Sequence, residues 1–592
     1  MSDQEQGSIS EDRLKFSQLV AYGAGGIIPI ALFNIAGILV GLMGNISLGL
    51  SAFWLGVILI IPRLWDAVSD PLIGHISDNA RTRWGRRRPF LLVGGILVAL
   101  TFVLMWWIPK GELVREWFPT EAGFQAFQLG YILFSLLLFY TACTIFEIPH
   151  GALGMEITSD YHERTRLFSA KSFVGNLFAM STPWLFALAN MEIFKGTGGN
   201  EADGMRYVSL MIAAVLIPLS FWWTYKLKEP GFVRIQKQEK TPFWRDMKHT
   251  AGNRNFIMLT LTIFTLAMGF NFVNLLGSYI PIFYIFGGDK VAGSYLLGIN
   301  GTVWAITGVL AVFPLNIISP RLGKRTTLII AILLMSAAQF SKIFCYNPEH
   351  PYLIIIPTIL LSMGMLFFFT LGSSMVGDIC DEDDLKTGMR NEGSFYSVFW
   401  WFIKMGTALA SFVAGALIVF TQFDEIQVTK VDSLQGSIRV LKSAIISTKE
   451  GELQTASFEE LIENSIGRSK DLLSHLENKT VKNSKAALHN KELIAYAKAV
   501  NQKISELDPA FSPEQLEQKI SVIENDIVRL TVQSPYTLLM MRVVEIGLPL
   551  LLSFFSIFFL LRYTLTESRS LEIKKLLQLR NKEREHTVMI QE

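Results

Sequence analysis

Three cysteines, Cys143, Cys345 and Cys380, are spread over 592 residues, all in or beside apolar stretches. That number and spacing exclude a disulfide framework and a multi-thiolate metal centre. Charge is scarce too: Asp, Glu, Lys and Arg make up 18% of the chain, where an ordinary soluble domain has about a quarter. The net charge of +2 is too small to suggest a nucleic-acid partner. The opening MSDQEQGSISEDRLKF is polar and mixed in sign, unlike a cleavable signal peptide. The first span is therefore expected to act as its own insertion signal. What abounds is apolar sequence, 51% of residues, with a mean hydropathy of +0.37. Such a chain reads as a polytopic membrane protein with the lipid bilayer as its solvent.

Apolar runs of roughly 20 residues, the length a bilayer core demands, recur about twelve times. Their centres lie near Ile30, Ile58, Val98, Phe134, Leu177, Ala214, Leu266, Val303, Leu333, Leu360, Ala408 and Leu550. Basic residues cluster after the even-numbered runs: Arg81 to Arg88, Arg164 with Arg166, the linker from Lys226 to Arg254, and Arg321 with Lys324 and Arg325. The positive-inside rule places these loops, and both termini, in the cytosol. Arg83-Trp84-Gly85-Arg86-Arg87 after the second run is echoed by Arg321-Leu322-Gly323-Lys324-Arg325 after the eighth. The matching positions suggest two six-helix halves.

The expected layout is a tail over 1–16, a first half over 17–225, a linker over 226–255 and spans seven to eleven over 256–421. Residues 422–534 are then a polar insertion, 535–563 the twelfth span and 564–592 a second tail. By parity the insertion is exoplasmic. Leu461, Ile466, Leu472, Leu473 and Leu476 fall near helical spacing, so it reads as several amphipathic helices. It serves as a solvated cap, a lid or a docking surface for an exoplasmic partner.

The stretch from Arg63 to Pro89 joins two carboxylates in an apolar run to a dense basic loop. Asp66 and Asp70 are four apart, so a helix puts them on one face. A charge inside the membrane costs at least ~2.5–3.5 kcal/mol, so such a pair calls for a cation, a basic side chain or protons. Thr144 and Glu147, at i and i+3 near the end of the fourth run, add a hydroxyl and a third acid. Lys404 stands deep in the eleventh run. One lysine against three acids leaves negative charge for a mobile cation, sodium or proton. A structural salt bridge is the alternative reading of the same residues.

These motifs together resemble the glycoside-pentoside-hexuronide:cation symporters of the major facilitator superfamily. The family's W-D-A-x-x-D-P-x-x-G-x-x-x-D stands here as Trp65 to Asp78, followed by Arg83-Trp84-Gly85-Arg86-Arg87-Arg88-Pro89. Its T-x-x-[DE]-I-P is Thr144 to Pro149, and its last signature resembles Asp378 to Asp381 through Arg390, Glu392-Gly393 and Tyr396-Ser397 to Lys404. The resemblance covers all twelve spans but not the insertion. It implies an all-α fold and a site for sodium, lithium or proton at Asp66, Asp70, Thr144 and Glu147, with Lys404 as charge partner. Glu147 replaces a shorter aspartate, which bears on the choice of ion.

The sugar side departs from galactoside-binding members, whose span-one aspartate falls near Ile30 here and whose stacking tryptophan falls at Gly151. The substrate candidates are Tyr22, Asn34, His150, Lys171, Asn271, Asn274, Phe369 and Trp400. His150, three residues from Glu147, is also a candidate proton relay. The superfamily's loop motif implies a cytosolic gate of Gly74, Asp78, Arg86, Arg87 and Arg88, with Asp381 and Arg390 as a second latch. The resemblance implies cation-driven sugar uptake by alternating access, with no catalytic residues and no cofactor beyond the coupling ion. It places the protein in a plasma membrane, a bacterial inner one. The rival expectations are a cation-coupled carrier of a lysolipid or other amphiphile, and a transporter-like receptor working through the insertion.

Overall fold

The computed structural model describes residues 14–32, 48, 50, 52–110, 112–158, 160–181, 185, 188–189, 191–195, 201–229, 242–277, 279–449, 455–479, 484–508 and 511–591. Helices form where the apolar runs lie, and their starts carry the expected caps. Asp160 accepts from the amides of His162 and Glu163, and Ser534 from that of Thr537, with Pro535 at the first helical position. Each cap satisfies donors that the first helical turn leaves unpaired.

The first half consists of α1 (Phe16–Ala24) running into a π-helical turn (Ile27–Leu32), α2 (Ala52–Asn79), α3 (Arg88–Trp106), α4 (Glu121–Glu156), α5 (Tyr161–Ala179) and α6 (Glu201–Lys226). A short amphipathic α7 (Phe243–Gly252) follows. The second half has α8 (Arg254–Gly277), the pair α9 (Lys290–Leu310) and α10 (Val312–Leu322), α11 (Lys324–Cys345), α12 (Ile355–Thr387) and α13 (Glu392–Phe420). Among the described residues seven helices are long and apolar enough to cross a membrane, or eight if α9 and α10, bent by 44°, are one span. The only strand-like feature described is a bridge between Thr82 and Gly85. One buried apolar cluster runs through both halves, from Tyr22 and Phe146 to Phe368 and Phe399.

Between α13 and the last apolar helix, α18 (Pro535–Leu561), stand α14 (Glu425–Lys449), α15 (Thr455–Asn478), α16 (Ser484–Ser505) and α17 (Pro513–Arg529). They enclose a separate core that includes Leu434, Ile438, Leu472, Leu476, Val500, Ile504, Ile520 and Ile527. Burying each such side chain is worth about 1.5–3 kcal/mol, and these side chains form a cluster distinct from that of the bundle. Ser512 starts α17 with a capping box to Gln515.

The root of the unit is bolted down. The Asp424 carboxylate accepts from the amide of Gln427, its own amide donates to the Gln533 side-chain oxygen, and the carboxylate pairs with His475 and Lys479. Burial pushes the Asp424 carboxyl up, but Lys479, the Gln427 amide and His475 outweigh it and hold the group below its usual range. After α18, a final helix α19 (Glu567–Gln591) docks by Ile573 and Leu577 on the main core.

Candidate functional site

Asp66 and Asp70 lie on the inner face of α2, both fully buried. Lys404 reaches them from α13, in the other half, with Nζ 3.0 Å from Asp66 and 2.7 Å from Asp70. Thr144 of α4 donates its hydroxyl to Asp70 at 2.9 Å. Three helices thus deliver one acid pair, one hydroxyl and one ammonium. Asp70 is hydrogen-bonded twice, by Thr144 and Lys404, whereas Asp66 shares the Lys404 ammonium through Oδ2 and its Oδ1 has no hydrogen-bond partner. A buried carboxylate oxygen without a donor is costly, and it is what a small cation or a proton would relieve. Pro71 follows Asp70 inside α2 and lacks an amide to donate to the preceding turn.

Glu147 is buried one turn beyond Thr144, but no three carboxylate, His or Cys groups converge as a metal cluster among the described residues. With all three groups ionised, the Asp66–Asp70–Lys404 triad carries one net negative charge. Arg63 of α2 lies over the Tyr140 ring, 5.4 Å from its centroid.

The other candidates separate. Phe369 of α12 stacks on Trp400 of α13, 6.1 Å between centroids and 8° from parallel, and the Trp400 indole N–H is buried without a partner. Lys171 donates to the Tyr396 hydroxyl at 3.2 Å. Asn271 of α8 donates to the Thr407 carbonyl, joining two helices of one half, and Asn274 is exposed. Tyr22 and His150 stack on each other at 4.3 Å inside the first half, with His150 Nε2 against the Tyr22 carbonyl. That nitrogen is therefore directed at α1. Asn34 falls outside the described residues.

A second charged cluster closes the basic end of the bundle. Asp78, eight residues after Asp70 on α2, accepts from the amides of Gly393 and Ser394 and from the Ser394 hydroxyl. A carboxylate of one half thereby caps the N-terminus of α13 in the other. Arg87 pairs with Asp78 at 2.6 Å and with Glu156 at 2.9 Å, and Arg86 takes Glu156 and Glu392 at 2.5 Å each. Gly74 lets α13 approach: a Cβ there would sit 2.6 Å from the Gly393 carbonyl oxygen. Arg390 pairs with Glu392 at 2.6 Å and Asp381 at 3.4 Å. Arg88 turns away, donating to the Thr224 carbonyl of α6. Alongside, Arg164 of α5 bridges Asp378 and Asp381 of α12 at 2.6 Å each, and Lys324 holds Asp378 from behind. The tail helix spans the same seam, with Lys574 on Asp160 at 3.1 Å and Arg580 on Asp384 at 2.6 Å.

Several members of these clusters were not singled out by sequence. Arg164 and Lys324 read as topological charge, yet both are buried to about 1% exposure. Glu156, nine residues past Glu147 on one helix, carried a usable signal as an acid ending an apolar run. Glu229 carried none: it sits in a polar linker, yet its carboxylate accepts from the amides of Arg86, Arg87 and Arg88 at 2.8–2.9 Å. It fits there because Gly85, at φ 114°, has no side chain to block it.

Two helical halves, joined at mid-depth by a lysine on two buried acids and sealed at one end by arginine pairs, define a membrane carrier of the secondary-transporter class. The chain belongs to the MFS/sugar transport protein family, whose model matches residues 21–448. It is 24% identical over 370 residues to the isoprimeverose transporter of Lactiplantibacillus pentosus, covering 62% of this chain and 73% of that one. It is also 24% identical over 428 residues to the sodium-dependent lysophosphatidylcholine symporter 1-A of Danio rerio, covering 66% and 75%. A bacterial homologue of the iron transporter ferroportin, solved in an outward-facing state, superposes with a TM-score of 0.53 at 13% identity, covering 68% of this chain and 93% of that one. That likeness supports the major facilitator fold and nothing finer.

Proposed function

We propose that this protein is a symporter that uses the inward gradient of sodium or protons to import a glycoside or related sugar. The observation that carries the reading is Lys404 of one half clasping Asp66 and Asp70 of the other, with Asp66 fully buried and that shared ammonium its one ion-pair partner among the described residues. A cation arriving at Asp66, Asp70 and Thr144 competes with the ammonium for the same oxygens. Its binding weakens a tie between the halves and lets the sugar pocket order beside it. Cation and sugar then raise each other's affinity by the same factor. Phe369 and Trp400 offer a flat apolar face for a sugar ring, and the free indole N–H a donor for a hydroxyl. The carrier is read as twelve spans with the basic end and both termini in the cytosol and the four-helix insertion outside, in a plasma membrane.

A second reading keeps the ion site but carries an amphiphile. It is favoured by aromatic walls: Phe270 stacks on Trp304 at 5.7 Å in addition to Phe369 on Trp400. The two readings separate in vesicle uptake of labelled glycosides under an imposed sodium gradient at fixed pH, alongside Asp70→Asn. Sodium-driven accumulation of a glycoside, lost in the variant, supports the sugar symporter. Accumulation under a proton gradient alone reassigns the ion. No sugar movement under either gradient, with competition by lysolipid, replaces the sugar with an amphiphile.

A further inference from the structure

Between the acid–lysine cluster and the arginine cluster, α4 and α13 face each other across the seam of the two halves. On α13 the order is Glu392, Tyr396, Lys404, with Tyr396 about 6 Å along the axis from Glu392 and about 12 Å from Lys404. On α4 it is Glu147, Gly151, Glu156. The middle members touch. A Cβ on Gly151 would lie 2.0 Å from Tyr396 Cε1 and 2.1 Å from Cζ, so the ring is seated on bare backbone of the opposite half. Tyr396 is wholly buried, backed by Phe399 and Trp400 of its own helix. Its hydroxyl takes the Lys171 ammonium at 3.2 Å, and Gly151 stands one turn from Glu147 on the same face of α4.

We infer that Tyr396 is the inner gate of this carrier: its ring, seated on Gly151, closes the passage from the acid–lysine cluster to the basic end, and its hydroxyl ties that closure through Lys171 to the ion site. The inference rests on the symport reading for its second half only. Gly151 is what makes the seal possible, since any side chain there must drive the ring, and α13 with it, away from α4. Lys171 is shared: drawn toward Glu147 it releases the tyrosine, and with the acids neutralised by a bound cation it is free to hold it. Opening toward the basic end is then sensitive to the occupancy of the ion site without the cation touching the gate.

Two readouts test this on the full-length protein with Cys143 and Cys345 replaced by serine. Cys380 is buried beside Asp381 at the basic end, so its alkylation rate reports opening there with no substrate needed. Gly151→Ala is expected to raise that rate at least about tenfold, the factor of a population shift toward the open form. Tyr396→Phe keeps the ring but loses the Lys171 tie and is expected to raise labelling by less than Gly151→Ala does, while the sodium or proton concentration for half-maximal uptake shifts about threefold or more. Unchanged Cys380 labelling in a Gly151→Ala protein with wild-type thermal unfolding would overturn the gate. Unchanged ion activation in Tyr396→Phe would overturn the link to Lys171. If the parent protein moves no substrate under either gradient, the symport reading and the hydroxyl link fall together, and Cys380 labelling still decides the gate.

Discussion

Asp70 and Asp78 are eight residues apart on one helix, about 12 Å along its axis, and they live in opposite conditions. Asp78 has donors on both oxygens: Arg87, two backbone amides and a serine hydroxyl. Around Asp70 the single ammonium of Lys404 serves two acids, and its neighbour Asp66 has only that ammonium, 3.0 Å from one of its oxygens. The contrast separates a lock from a receptor. Where planar guanidinium forks satisfy each carboxylate, the cluster holds the halves together and must be broken whole. Where one compact ammonium is shared, an incoming cation finds oxygens already stripped of water and incompletely paired.

Breaking the receptor side is expected to give the largest effect. Asp70→Asn should abolish ion-dependent accumulation, removing a coupling worth up to about 100-fold in substrate affinity, measured as uptake with and without the gradient. Next comes the lock. Arg86→Gln takes one partner from Glu392, which keeps Arg390, and one from Glu156, which keeps Arg87; losing one partner of a buried pair costs up to about 3–5 kcal/mol. The expected outcome is faster alkylation of Cys380 and a carrier biased open at the basic end. Lys574→Ala removes only the tail helix's contact with Asp160, which is partly exposed. A pair of that kind is worth about 1 kcal/mol or less, so Cys380 labelling should rise by a few-fold.

The smallest effect concerns the insertion. The Asp424 carboxyl is held below its usual range, so its ion pairs stabilise the fold above the unfolded value near pH ~4. They are lost as pH falls through the lower folded value. The melting-temperature gap between the parent and Asp424→Asn should be full at pH 7 and close as the pH drops below about 4.

Much of this was legible because charge in an apolar run is conspicuous. The four-residue spacing of Asp66 and Asp70 and the solitary depth of Lys404 pointed to one cluster, and the structure puts those three side chains together with Thr144. The insertion's helices were legible from the spacing of Leu472 and Leu476 and from the Ser512-Pro513 start. What escaped was pairing across the halves. Nothing local marks Tyr396 as the knob for Gly151, or Arg164 as the partner of Asp378 and Asp381, since each contact joins helices far apart in sequence. Arg86, Arg87 and Arg88 look alike in sequence, yet the first two enter the lock and the third ties to α6, because successive residues point in different directions around a turn.

The central claim is that the coupling cation competes with Lys404 for Asp66 and Asp70. It is tested most directly by the thermal stability of the purified protein as sodium is titrated at fixed pH, repeated as the pH is lowered without sodium, for the parent and Asp70→Asn. A ligand that binds only the folded state raises its melting temperature with concentration. The account predicts such a rise with one of the two ions in the parent and none in Asp70→Asn. An equal rise in both proteins would place the cation elsewhere and contradict the account.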